Sequence, residues 1–156
     1  MATIKKSKIT PFLWYNDNLE EAVKFYTSIF KKSKVLSMPR MGNGKVFTAT
    51  FELEGQRVMG LNGGPQFKFN ESLSFFVDCK TQKEVDYFWE KLSKGGEKSR
   101  CGWLKDKFGL SWQIVPEQLG KYLYGKDPVR AKRVMDAMIK MNKIEIKKLE
   151  EAYKGK

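Results

Sequence analysis

Across 156 residues there is no histidine, so the commonest general base and transition-metal ligand is missing from the start. What remains for chemistry is two cysteines, scattered hydroxyls and separate carboxylates. A Ser or Cys nucleophile ordinarily needs a neighbouring base, and no imidazole is present to serve. Cys79 and Cys101 have neither CxxC spacing nor the density of a disulfide scaffold, and read as reduced thiols of a cytoplasmic protein. Glu52, Asp78 and Asp106 are candidates for a hard-cation site, but the expected strand faces give no reason for them to converge; they read as separate solvated carboxylates. Gly42-Asn43-Gly44 is a turn with no helix after it, and no phosphate loop of the P-loop type exists. The most suggestive stretch is CGWLKDKFGLSWQIVP at 101–116. Two tryptophans flank a charged, Gly-bearing turn, and an apolar strand carrying the neutral Gln113 follows.

The elements that position these residues form a repeat. Residues 9–15 read as an apolar strand. Asn18 then caps a helix with Glu21 at its third position, and Leu19, Ala22, Val23, Tyr26, Ile29 and Phe30 make one buried stripe. Strands follow at 35–40, 45–53 and 56–62, with Gly55 turning the last hairpin. After Asn62-Gly63-Gly64-Pro65 the order restarts. A strand at 72–78 precedes a capping box of Thr81 and Glu84, a helix carries Val85, Phe88, Trp89 and Leu92 to Gly95-Gly96, and shorter strands lie near 97–104 and 110–115. Asn18 and Thr81, Glu21 and Glu84, Tyr26 and Trp89 are all 63 residues apart. The order β-α-β-β-β therefore occurs twice, over about 8–63 and 71–116, within one α+β domain at 1–116.

Residues 117–156 are helical in pattern. Asp127-Pro128 starts one helix, with an apolar stripe of Ala131, Val134, Met135, Met138 and Ile139. A second helix begins near Asn142 or Glu145 and carries Ile146, Leu149 and Tyr153. This appendage is expected to pack on the sheets or on a partner subunit.

Composition bounds the rest. A hydrophobic content of 41% with 13% aromatic suits a folded domain, and no apolar run is long enough for a membrane span. The opening MATIKKSK has no apolar segment behind its basic start, so no secretory signal is expected. The net charge of +12 is concentrated at the ends, with +5 in each of 1–40 and 117–156 and +2 between them. The lysines are spread over polar helix faces, which reads as a solvated surface, and nucleic-acid binding is not expected. A basic chain still attracts anions and repels cations.

The segments NLEEAVKFYTSIF, LNGGPQFKFNESLSFFVDC, TQKEVDYFWEKLSKGGE and CGWLKDKFGLSWQIVP resemble the PhnB-like branch of the glyoxalase/bleomycin-resistance/dioxygenase superfamily, the vicinal oxygen chelate fold. The branch carries the label demethylubiquinone methyltransferase-like. The tail RAKRVMDAMIKMNKIEIKKLEEAY is similar to it as well, so the likeness spans nearly the whole chain. It implies paired βαβββ modules forming a U-shaped sheet around a ligand cleft, and a homodimer. It also implies four metal-ligand positions, which fall on Thr10, on Gly60 or Asn62, on Ser72 (Leu73 if the register slips by one), and on Gln113. None offers a carboxylate or imidazole, so no metal and no cofactor are expected. The cleft positions implied are Thr10, Phe12, Trp14, Thr48, Thr50, Ser72, Ser74, Phe76, Trp103, Ser111 and Gln113, with Glu52 as the candidate catalytic base. Trp103 and Trp112 alternate, so only one of them faces a cleft. Aromatic walls with hydroxyls and amides suit a small planar ligand, neutral or anionic. The resemblance thus implies a metal-free binding protein or, alternatively, a metal-independent lyase or isomerase.

Overall fold

A computed structural model of the chain describes residues 7–156. The reading of MATIKKSK as leaderless rests mainly on residues 1–6 and lies outside the described residues. The chain divides into two compact units, with the boundary at Lys68 and Phe69.

In the first unit, β1 (Phe12–Tyr15), α1 (Leu19–Ile29), β2 (Ser33–Ser37), β3 (Thr48–Leu53) and β4 (Gln56–Asn62) follow one another. The sheet order is β1-β4-β3-β2, with β1 parallel to β4 and the other pairs antiparallel. The predicted helix stripe is the buried one: Leu19, Ala22, Val23, Tyr26 and Ile29 all point inward. They cover a sheet face made of Leu13, Tyr15, Ala49, Phe51 and Val58, all buried. Gly60 belongs to this face too, because a methyl group there would fall 2.7 Å from Leu19 Cδ1.

The second unit repeats the plan with β5 (Ser74–Cys79), α2 (Gln82–Ser93), β6 (Glu97–Lys98), β7 (Trp103–Lys105) and β8 (Ser111–Pro116). Its sheet order is β5-β8-β7-β6, again with one parallel pair between first and last strand. The single strand expected at 97–104 is broken. Cys101 (φ 57°) and Gly102 (φ 81°) are both left-handed, and Trp103 N–H donates to Arg100 C=O, which makes a type I′ turn between β6 and β7.

Two helix starts keep their local caps and two are capped from elsewhere in the chain. Thr81 caps α2 as predicted, its hydroxyl accepting from Glu84 N–H, while Glu84 accepts from Lys80 N–H. Asp127 caps α4 (Pro128–Met138) through the amides of Val129 and Arg130. Asn18, however, makes no side-chain cap bond. Leu19 N–H donates instead to Asn62 Oδ1 at 2.9 Å, because β4 ends beside β1 and delivers that amide to the start of α1. The same device starts α5 (Ile146–Lys154), where Ile146 N–H donates to Gln82 Oε1.

The C-terminal helices α3 (Glu117–Leu123), α4 and α5 belong to the second unit. Val115, Leu119, Val134, Met141, Ile144 and Leu149 form their core. The type I′ turn fastens them, since Cys101 and Gly102 donate to the carbonyls of Met141 and Asn142. The α4 stripe is turned from its predicted face: Val134 and Met138 pack inward with Ala137, while Met135 and Ile139 are exposed. Arg133 accounts for the rotation, because its guanidinium occupies the inner side and donates to the carbonyls of Ala152 and Tyr153 at the end of α5.

Candidate functional site

Each sheet buries one face and leaves the other open. Ladder register decides which side chains share the open faces. In the first unit Phe12, Met59 and Thr50 form one row, Trp14, Leu61 and Thr48 the next, and Glu52 with Arg57 a third. The sequence-predicted Phe12, Trp14, Thr48, Thr50 and Glu52 are thus brought onto one surface. Thr10 lies just before β1 and is half-buried.

Two of these residues are already engaged. Trp14 Nε1–H donates to Gly64 C=O at 2.9 Å, and Phe67 meets the indole edge-on at 4.9 Å. Gly63 has no room for a side chain there, since a Cβ would fall 2.2 Å from the Trp14 ring. Glu52 is buried to 9% exposure and paired with Lys34 at 3.2 Å and Arg57 at 3.7 Å. A proton abstraction by Glu52 would have to displace two cations.

In the second unit the open face carries Lys105, Ser111 and Ser74 in one row and Trp103, Gln113 and Phe76 in the next, followed by Asp78 and Val115. Gln113 Nε2–H donates to Ser74 Oγ at 2.9 Å, and the Gln113 amide stands between two aromatic neighbours. Phe76 is 59% exposed. The Ser111 hydroxyl is buried and lacks a partner. Trp112 faces the other way, buried against Phe75, which settles the alternation of the two tryptophans.

Ser72 is not on this face. It sits in an exposed turn before β5, where its amide and hydroxyl both bond to Asn70 Oδ1. The strand begins two residues later than predicted because this Asx turn holds the chain out of the ladder. The connection from strand to helix explains the register. Residues 16–18 join β1 to α1, but only 80–81 join β5 to α2. Helices are therefore offset by 63 residues and strands by 64, matching Tyr15 to Cys79, Leu13 to Val77 and Thr10 to Ser74. The pairings Phe12 with Met59 and Phe76 with Gln113 then make Met59 the counterpart of Gln113. Gly60 and Asn62 face α1 instead, with Asn62 spent on Leu19 N–H and Val46 C=O.

The superfamily resemblance puts metal ligands at Thr10, at Gly60 or Asn62, at Ser72 and at Gln113. Since Gly60 and Asn62 face α1 and Ser72 lies in a turn, the open-face residues at the corresponding strand positions are Met59 and Ser74, along with Thr10 and Gln113. Two hydroxyls, a thioether and an amide supply no anionic donor, so they do not fit a divalent ion. Among the described residues no group of three His, Cys, Asp or Glu side chains comes together.

The sequence expectation of a solvated Asp106 is corrected by the structure, in which this residue is 2% exposed. Its carboxylate accepts from the amides of Phe108 and Leu110 and from Trp112 Nε1–H. It organises the turn that feeds β8 and so sets the register of Gln113. The spacing Asp106 to Gly109, a carboxylate opening a glycine-closed turn, was the available signal.

Sequence and fold comparisons agree with this architecture. The family model described as 3-demethylubiquinone-9 3-methyltransferase matches residues 7–115. A PhnB protein from Bacillus cereus, titled a putative 3-demethylubiquinone-9 3-methyltransferase, is similar at 35% identity and TM-score 0.67, over 70% of this chain and 99% of that one. Protein PA1353 from Pseudomonas aeruginosa is similar at 19% identity and TM-score 0.61, over 72% and 98%. The fosfomycin resistance protein FosX from Listeria monocytogenes, solved with Mn(II) and dihydroxypropylphosphonic acid, shares the fold at 16% identity and TM-score 0.53, over 69% and 90%. No curated protein matches significantly. The chain belongs to the PhnB-like family of that description, within the glyoxalase/bleomycin-resistance superfamily.

Proposed function

We propose that this protein binds a small planar organic molecule, neutral or anionic, on the open sheet faces, without a resident metal ion and without turnover. The observation that carries the reading is the row Trp103, Gln113, Phe76. It places a neutral amide, fixed by Ser74, between two aromatic side chains on a surface with no carboxylate–imidazole set. Such a row stacks a flat ligand and offers one amide oxygen or N–H to its edge. The net positive charge of the chain as a whole favours anions over cations.

Tryptophan-fluorescence titration with benzoate and benzamide tests the reading. Saturable quenching is expected, weakened about tenfold in Gln113→Ala, a loss of about 1.4 kcal/mol. Absence of any quenching at millimolar ligand, or a stoichiometric transition metal in protein purified without added metal, would overturn it.

The lyase or isomerase reading, with Glu52 as base, has less support because Lys34 and Arg57 hold that carboxylate. Glu52→Gln is expected to leave ligand titration unchanged. Methyl transfer is not part of the proposal, since neither sheet has the all-parallel order with a glycine-rich turn that a nucleotide-type cofactor uses. We further propose a cytoplasmic homodimer. Both cysteines are free, in keeping with a reducing compartment. Exposed Phe12, Leu36 and Phe47 on the first unit give a second copy an apolar surface to cover. Sedimentation of the full chain at a monomer mass would count against the dimer.

A further inference from the structure

A groove of about 250 Å³ lies where the open face of the second sheet meets α3, with Phe76, Asp78 and Val115 on one side and Glu117, Gly120 and Lys121 on the other. Register puts Phe76, Asp78 and Val115 on the same face, so the ring and the carboxylate point into a shared space over an apolar floor. Asp78 has no ion-pair partner among the described residues. Among the described residues Glu117 pairs with Lys121 alone, at 3.7 Å. Two carboxylates against one ammonium make this spot locally negative in a chain of net charge +12.

Gly120 adds an independent argument. It occupies the middle of α3, where glycine is unfavourable, yet a Cβ built there would approach nothing closer than Tyr124 Cδ2 at 4.0 Å. No packing forbids a side chain. What its absence does is keep the α3 side of the groove open.

We propose that this groove is a binding site for a small organic ammonium ion with an apolar or aromatic body. The cation lies against the Phe76 face and between the Asp78 and Glu117 carboxylates, and the body fills the floor above Val115. The volume suits a ligand of fragment size. Residues of α3 lie beyond the segment matched by the family model, so this wall is a contribution of the C-terminal helices. The site differs from the Gln113 row in charge preference and shares only Phe76 with it.

The test is an amide-resolved NMR titration of the full chain with benzyltrimethylammonium, using benzyl alcohol and benzoate as neutral and anionic comparators. Saturable shifts at Asp78, Gly120 and Lys121 are expected with the cation and not with benzoate, Phe76 being shared by both sites. Asp78→Asn should weaken the cation at least threefold. Gly120→Leu should abolish its binding while the rest of the spectrum is preserved. Gln113→Ala should leave the cation titration unchanged, even if it removes benzoate quenching. Equal shifts with benzoate, unaltered affinity in Asp78→Asn, or loss of the cation in Gln113→Ala would each overturn the proposal.

Discussion

Burial tunes some side chains in this protein and charged partners tune others, Cys79 and Asp86 being the clearest cases. Burial pushes the Cys79 thiol up to about 12, with the nearby carboxylates of Glu84 and Asp78 adding to the effect. At neutral pH it is protonated and enclosed, so thiol titration of the native protein is expected to detect Cys101 alone and to find both cysteines after denaturation. The sign for stability follows. The neutral thiol favoured by the fold contributes fully below the ordinary cysteine value of 9.0, and that contribution is lost as pH rises from there toward 12. Thermal unfolding followed across pH 8 to 11 should show a Tm that declines at the alkaline end, with the decline reduced in Cys79→Ala. Gly120→Ala gives a second residue-scale expectation. With open space over the helix, the substitution is expected to stabilise by about 0.5–1 kcal/mol, read as a Tm increase of a few degrees.

At the scale of elements, the C-terminal helices are held by hydrogen bonds that originate far away in sequence. Gln82 at the start of α2 accepts from Ile146 N–H and donates to Ile144 C=O, while Lys143 pairs with Asp86 at 2.7 Å. Gln82→Ala leaves two backbone groups unpaired and is expected to cost about 1–3 kcal/mol, with faster amide exchange confined to the start of α5. Ile144→Ala removes a fully buried side chain packed on Gly102 and is expected to cost about 2–5 kcal/mol by chemical denaturation. The hydrogen bond and charge of Lys143 hold Asp86 below its ordinary value of 3.8, so this latch weakens only as pH falls below that range. Sequence periodicity was enough for the α1 and α2 stripes and the order of elements, which depend on near neighbours. It was not enough for α4, whose stripe is turned by the bonds of Arg133 to the end of α5. Asn62 and Gln82 as helix caps were not legible, because each acts on a helix start brought to it only by the sheet. Ser72 was misplaced for a related reason: alternation does not say where a strand begins, and Asn70 decided that.

For the whole molecule, the repeat was legible and the placement of its charge was not. Many basic side chains are matched by neighbours, among them Lys24 with Glu20, Lys98 with Glu90 and Lys132 with Asp136. A net charge of +12 spread in this way presents few phosphates' worth of aligned cations at once. Binding to double-stranded DNA is therefore expected to be weak, with a log–log salt slope below about 3 in magnitude. The candidate site was legible in its residue types, since Phe76, Trp103 and Gln113 fell on one face as alternation required. The groove beside it was not, because α3 reaches that face through tertiary packing.

The unequal connectors, three residues before α1 and two before α2, also bear on engineering. Anyone fusing two copies of the first half into a symmetric molecule would inherit a pair of identical linkers. Grafting the second half's strand onto the first half's helix should keep the longer linker, because Cys79 then falls where Tyr15 stood and the buried face is preserved. Carrying the two-residue linker along instead would slip the strand by one residue and turn its buried side chains outward, and that chimaera should fail to fold.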